Sequence, residues 1–406
     1  MKFTYTPPDF VAIERELRQR HALRDAAFLA APLDGVAPER FYTTTNDPTY
    51  VRLGGRWHLV QRARIDCAVA LDLTTGALVC VEPRDIRCGD PVLVGQAPLA
   101  EGELAWQKHI SQTGEEGIYV HTTGFVPETP EQTGTEEPFA FIPNADAPEY
   151  EAEYGDIAAL IEEHRNSNGG LSIWVLGPAV VHSSGRKAMQ WLIERGYVGA
   201  IFGGNGVATH DIEKAILGAP PNRGAQDGHR CHIAVLNMVR QLGSIRAAIE
   251  AGLIQDGIMY ACYKHNIPFV LAGSIRDDGP LPEVITDSIA AQHAMRELAL
   301  NATLGVMLVS VLHAIAASTM LPVYIERNGT IAPIELIAVD GNRSAVTKLL
   351  DRGTHQAHGI VRSTGEFLGS LIETLQQRQS VLRGCEMLDL AETARAQRAA
   401  VLQVGK

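Results

Sequence analysis

Residues 171–211, LSIWVLGPAVVHSSGRKAMQWLIERGYVGAIFGGNGVATHD, decide the fold. The run opens with LSIWVL, an almost unbroken apolar stretch too short for a helix and too continuous for a strand with one wet face. That pattern predicts a strand buried on both sides. GRKAMQWLIERG then carries a helical period, YVGAIFGG is a second apolar strand, and THDIEKAILG begins another helix. Strand, helix and strand in so little chain predict a parallel crossover unit.

The same alternation extends in both directions. Before it lies the helical ALIEEHRN. After it come one long helix (IAVLNMVRQLGSIRAAIEAG), the strand IPFVLAGS and the helix VITDSIAAQHAMRELAL. LGVMLVSV precedes LHAIAASTM, and IELIAVD precedes AVTKLLDRG. Ala302 to Ile325 is nearly long enough and apolar enough to suggest a membrane span. His313 and Pro322 interrupt it, so a buried strand followed by a core helix is expected. Five apolar strands in this pattern predict an α/β fold, a parallel sheet with helices on both faces.

The N-terminal texture is different. YVRLGGRWHLV turns at Gly54-Gly55 between two β-rich runs, and IDCAVALDLTTGALVCV turns near Gly76. A smaller β-rich domain is expected over 1–125, followed by a Pro-, Glu- and Thr-rich linker over 126–155. The parallel-sheet domain is expected over 156–362 and a charged helical tail over 363–406.

Composition narrows the function. Of 406 residues, 46% are hydrophobic and 20% charged, which suits a globular chain with a large core. The net charge of −12 repels phosphate backbones and anionic lipid, so neither nucleic acid nor membrane is the expected partner. The six cysteines form no C-x-x-C pair and are expected to be reduced and buried. MKFTYTPPDF has no apolar signal core, and a cytoplasmic location is expected. The apolar helices and the tail lead us to expect a homo-oligomer.

Ligands of open α/β sheets sit beyond the carboxyl ends of the strands. Those ends here read LGPAVV with Pro178, GGNGVATHD with Asn205 and Gly206, AGSIRDDGPLP with Ser274, SVLH from Ser310 through Leu312 to His313, and VDGN with Asp340. Glycines at GGNG let backbone N–H groups approach a phosphate or a ring, although G-x-G-x-x-G is absent and a plain turn would read the same. Asp340 can accept from ribose hydroxyls or simply begin the next helix. Arg276 can grip a carboxylate, and Asp277 or Asp278 can handle an amine's proton; a mutually paired loop is the alternative. Lys264 is a second carboxylate candidate or a solvated helix end. His229 in GHRCH is a candidate acid/base. His232 stands beside it, but the carboxylate spacing of common zinc motifs is missing, so no metal is expected. Asn46 and Thr44, in FYTTTNDPTYVR, can line an interdomain cleft or serve a turn.

Together these segments resemble the archaeal-type ornithine cyclodeaminases, the LOR/SDH conserved-domain family, also found as the C-terminal half of arginine dihydrolase/ornithine cyclodeaminase fusions. The matching stretches are FYTTTNDPTYVRLGGRW, DCAVALD, RDIRCGDPVLVG, GPAVVH, GNGVATHDIE, GIMYACYKHNIPFVLAGSIRDDGPLPEVITD and VTKLLDRGT, spread over about 40–355. The resemblance implies a Rossmann-like fold and NAD bound near Asn205, Gly206, Asp287, Ser310–His313 and Asp340. It implies conversion of L-ornithine to L-proline and ammonia, with an amino acid as the small-molecule substrate. The chain departs from the family at FAFIPNADAPEYEAEY, where a serine- and arginine-containing segment is usual. It also departs at VDGN, where VDIN is usual, and at Cys231, where asparagine is usual. Another amino acid or imine as substrate, or NAD binding without catalysis, are the alternative readings.

Overall fold

The computed structural model describes residues 3–95, 120–122, 125–127, 154–166, 170–218, 225–308, 311–327, 330–350, 354 and 356–380. The N-terminal part lays down β1 (Phe3–Thr4), α1 (Phe10–Gln19), β2 (Ala27–Ala30), β3 (Thr49–Leu53), β4 (Arg56–Leu59), β5 (Ala68–Leu71), β6 (Leu78–Val81), β7 (Pro91–Val94), β8 (Val120–Thr122) and β9 (Val126–Pro127). The later part adds α2 (Tyr154–Asn166), β10 (Leu171–Leu176), α3 (Pro178–His182), α4 (Gly185–Glu194), β11 (Ala200–Gly204), α5 (Asn205–Leu217), α6 (Ala225–Leu242), α7 (Ile245–Glu250) and α8 (Ile258–His265). It continues through β12 (Phe269–Ala272), β13 (Val284–Ile285), α9 (Ser288–Ala299), β14 (Ala302–Leu308), α10 (Val311–Met320), β15 (Tyr324–Arg327), β16 (Thr330–Pro333), β17 (Glu335–Asp340), α11 (Arg343–Leu350) and β18 (Gln356–Val361). A further helix, α12, occupies residues 364–380.

Seven strands form one parallel sheet in the order β13-β12-β11-β10-β14-β17-β18. Both faces are buried, which accounts for the continuous apolar strand sequences. Trp174, Leu176, Val306, Leu308, Ile337 and Val339 face one helical layer that includes Ile161, Met189, Leu192, Phe367 and Leu371. Their alternating neighbours Ile173, Val175, Met307, Leu336 and Ala338 face the other, with Met295, Ala317 and Leu349. Every second residue thus feeds the opposite core, the period of a β-strand.

The predicted strand-then-helix reading of 302–325 matches β14 and α10, and no helix among the described residues is long and apolar enough to cross a membrane. Both hairpins read in the N-terminal part are present, β3–β4 and β5–β6. Other expectations need correction. The sheet has seven strands rather than five, because β13 is only two residues long and β18, QAHGIV, has a mixed surface. The long helix of 233–252 is broken. Gly243, at φ +86°, ends α6, and the Ser244 hydroxyl accepts from Ala247 N–H to cap α7. The helix that directly follows β11, α5, starts at Asn205 rather than Thr209, so Asn205 and Gly206 belong to its first turn. Cys88 is exposed, whereas Cys67 and Cys262 are buried; the five cysteines described are all free. Of the expected linker, 128–153 lie outside the described residues, as do 381–406 of the tail.

The hairpin β15–β16 interrupts the sheet's sequence between α10 and β17 and joins the N-terminal core. Val323, Tyr324 and Ile331 pack with Val51, Val60, Val69 and Leu93. Val323 N–H donates to Ala63, and the Tyr324 hydroxyl donates to the Val60 carbonyl. A second tie is ionic: Arg296 on α9 meets Glu82 at 2.9 Å and Asp85 at 3.0 Å.

Candidate functional site

Starting from β10, the sheet is built outward in two directions, through β11, β12 and β13 on one side and β14, β17 and β18 on the other. The reversal lies between β10 and β14. In open sheets of this kind the loops leaving the carboxyl ends diverge at such a reversal, and the crevice between them is where ligands sit. Gly177 N–H bonds the Leu308 carbonyl at 3.0 Å and holds the two strand ends together at the crevice floor.

Four segments converge on it. Pro178 begins the short helix after β10 and is exposed. Next to it, a Cβ added at Gly206 would stand 3.2 Å from Pro178 Cγ. A Cβ at Gly204 would stand 3.2 Å from His313 Cε1, so the β11–α5 turn, the β10 end and α10 approach one another only because those positions lack side chains. The α5 N-terminus, whose Gly204 cap provides no side-chain hydrogen bond, turns the positive end of the helix dipole toward this group. A pyrophosphate fits such a surface.

Asn205 is turned inward. Its Oδ1 accepts from Leu281 N–H at 3.0 Å and from the Thr209 hydroxyl at 3.2 Å, tying the α5 start to the loop after β12. That loop folds on itself: the Asp277 carboxylate accepts from Ser274 N–H at 2.7 Å, and the Ser274 hydroxyl accepts from Arg276 N–H. Ser274, Ile275, Arg276 and Asp278 remain exposed at its rim. His313 is half-buried, with its ring bonded to the Ala272 backbone. Burial lowers its pKa from the ordinary histidine value, partly offset by that bond and by Asp277. A neutral imidazole thus lines the crevice at neutral pH.

Pro178, Asn205, Gly206, Ser274, Asp277 and His313 are brought together by these contacts. Leu312 is exposed on the first turn of α10, and Ser310 lies outside the described residues. Arg276 and Asp278 belong to the same loop but extend to solvent. Asp340 closes β17 and accepts from Asn342 N–H at 2.8 Å; α11 starts only at Arg343, so Asp340 does not cap it. Asp287 caps α9 by accepting from Ala290 N–H at 2.7 Å. Lys264 lies apart. It is in the last turn of α8, before β12, hence at the amino end of the strands, with its ammonium 5.3 Å from the Tyr260 ring centroid. His229 is exposed on α6, and Asn46 is half-buried in the N-terminal part. Thr44 is buried, its hydroxyl bonded to the Arg64 and Cys67 carbonyls, and is used to hold that loop rather than to line a cleft.

Two groupings escaped sequence reasoning. Arg186 is buried on α4 and meets Asp211 at 2.7 Å and Asp256 at 2.9 Å. The Asp211 carboxylate, fully buried, also accepts from Ile258 N–H at 3.0 Å and Met259 N–H at 2.8 Å, capping α8. Burial pushes Asp211 upward, against the pull of Arg186 and those two amides. Gly257 is required there, because its φ is +102° and a Cβ would stand 2.2 Å from Arg186 Nη2. The second grouping is His210, Glu213 and His232. The local hints were the charged tetrapeptide HDIE in α5 and the GHRCH segment, whose His232 lacked a carboxylate partner within its own stretch of sequence.

A parallel sheet with helices on both faces, its order reversing between β10 and β14 and a helix N-terminus standing one strand away, defines a protein of the Rossmann class. Comparison with known proteins narrows this. Residues 155–371 match the family model described as "Arginine dihydrolase ArgZ-like, C-terminal, Rossmann fold", and residues 48–99 match its companion, "C-terminal, first region". The ornithine cyclodeaminase of Methanopyrus kandleri is 37% identical, over 91% of this chain and 84% of that protein. The bifunctional arginine dihydrolase/ornithine cyclodeaminase ArgZ of Synechocystis is 38% identical over 84% of this chain and 46% of its own length. Among solved structures, a conserved LOR/SDH protein of Methanococcus maripaludis superimposes with a TM-score of 0.70 at 33% identity, covering 88% of this chain and 98% of that one. AgrE, in a ternary complex with ornithine and NAD+, gives 0.51 at 32% identity, covering 89% of this chain and 47% of that one. The chain belongs to the family of archaeal ornithine cyclodeaminases and ArgZ-like C-terminal regions.

Proposed function

We propose that this protein is an ornithine cyclodeaminase that converts L-ornithine to L-proline and ammonia. The observation that carries the reading is 37% identity extending over 84% of a curated ornithine cyclodeaminase. The cofactor is NAD, as befits a Rossmann domain related to AgrE. When bound, it supplies an acceptor and then a donor of hydride within one turnover, so no reduced cofactor accumulates.

The bare α5 N-terminus beside Gly204 and Gly206 receives the pyrophosphate, and Asp340, at the end of β17, takes a ribose hydroxyl. The loop after β12 supplies the substrate's charges. Arg276 holds the α-carboxylate, and Asp278 takes and returns the amine proton. Asp277 is already committed to Ser274 N–H and sets the loop's shape. His313, neutral through burial, offers a hydrogen bond without repelling a cationic amine. Asn205 keeps the loop seated against α5 through Leu281.

The test is direct. Purified protein with L-ornithine and NAD+ is to yield proline and ammonia in equal amounts with no lasting rise in NADH absorbance. No product, or stoichiometric NADH, overturns the assignment. A second reading, the same fold acting on a different amino acid, is favoured by FAFIPNADAPEYEAEY standing where the serine- and arginine-containing segment is usual. Screening amino acids for NADH formation separates the two.

A further inference from the structure

Beyond the crevice, one cluster of side chains has no part in the chemistry above. His210 and Glu213 lie one turn apart on α5, and His232 comes from α6. The Glu213 carboxylate is clasped from both sides. Oε2 meets His210 Nδ1 at 2.7 Å, and Oε1 meets His232 Nδ1 at 2.7 Å. One donor atom from each residue lies within 4.8 Å of the others. A third imidazole, His182, is packed against His210 with ring centroids 4.6 Å apart. Lys214, the neighbouring cation, is occupied by the Val181 carbonyl.

We propose that His210, Glu213 and His232 form a site for one zinc-class divalent cation that clamps α6 onto α5. Two imidazole nitrogens and a carboxylate are a donor set that such ions take, leaving a further position for water. Ligand bonds of about 2.0–2.2 Å around a tetrahedral ion place donors about 3.3 Å apart. That lies between the 2.7 Å contacts and the 4.8 Å span seen here, so small side-chain rotations suffice. The three side chains keep 30%, 17% and 33% of their surface exposed, which leaves an ion a path inward. The sequence set His232 only beside His229, because His210 and Glu213 are separated from it by the end of one helix and the start of another.

The clamp has a structural consequence. α5 begins at the nucleotide cradle and α6 carries His229, so the ion would fix the second relative to the first. The proposal does not depend on which substrate the crevice takes, since it is tested without substrate.

The experiment uses the untagged full-length protein, stripped with chelator and titrated with ZnCl2 by calorimetry and with CoCl2 by visible absorption. One ion per chain is expected, with the intense visible bands of low-coordinate cobalt. Glu213→Gln and His232→Ala are each expected to weaken zinc binding by at least about tenfold. His229→Ala, outside the cluster, is expected to bind as the native chain does. Absence of cobalt bands in the native protein overturns the proposal whether or not the variants fold. Equal zinc affinity in the native protein and in folded Glu213→Gln overturns it as well.

Discussion

Replacing Asp211 with alanine should cost far more than a single side chain suggests. The substitution removes the acceptor for Ile258 N–H and Met259 N–H, and the nearer partner of buried Arg186. A buried amide left without a partner costs about 1–3 kcal/mol. Removing one member of a buried ion pair costs about 3–5 kcal/mol. These overlap rather than add, because Arg186 keeps Asp256 at 2.9 Å and the strain of burying the Asp211 charge is relieved. A net loss of about 4 kcal/mol follows. With an unfolding entropy of about 2.1 cal/mol/K per residue, a chain of 406 residues loses about 5 °C in Tm. Scanning calorimetry on the native protein, Asp211→Ala, Arg186→Met and the double variant gives both the loss and the coupling. The double variant should be less destabilised than the two singles summed, by at least about 1 kcal/mol. A Tm change below about 1 °C for Asp211→Ala, or simple additivity, would refute the reasoning.

Gly206→Val places methyl groups against Pro178 and over the α5 N-terminus; NAD affinity should fall at least about tenfold by calorimetry, and an unchanged Kd counts against the cradle. Asp278→Asn should lower ornithine turnover by about a hundredfold or more while NAD binding persists; undiminished kcat removes Asp278 from proton transfer. Burial lowers the His313 pKa, so below histidine's ordinary value of 6.5 the unfolded chain binds the extra proton more readily than the folded one. Stability of the NAD-free protein should therefore rise with pH through the window just below 6.5 and level off above it. His313→Gln should flatten that rise, and a profile identical to the native one would contradict it.

The sheet was legible because its strands are buried on both faces: LSIWVL and LGVMLVSV admit few other readings. Their order was not, since periodicity reports which face is buried and not which strand lies alongside. Short β13 and polar β18 fell below that signal. The glycines at 203–206 marked the proposed cradle by residue type, and the packing of Pro178 and His313 against them became visible only in three dimensions. Lys264 looked apt by residue type; chain direction put it at the other end of the strands.

Sequence by itself determined the α/β class, the position of the strand ends and, through long shared motifs, the family. Tertiary structure decided the switch point between β10 and β14, the entry of the β15–β16 hairpin into the N-terminal core, and the Arg186–Asp211 and His210–Glu213–His232 groupings. The reason is physical. Burial imposes a local period on the chain, whereas a contact between residues 25 or 19 positions apart leaves no period to read.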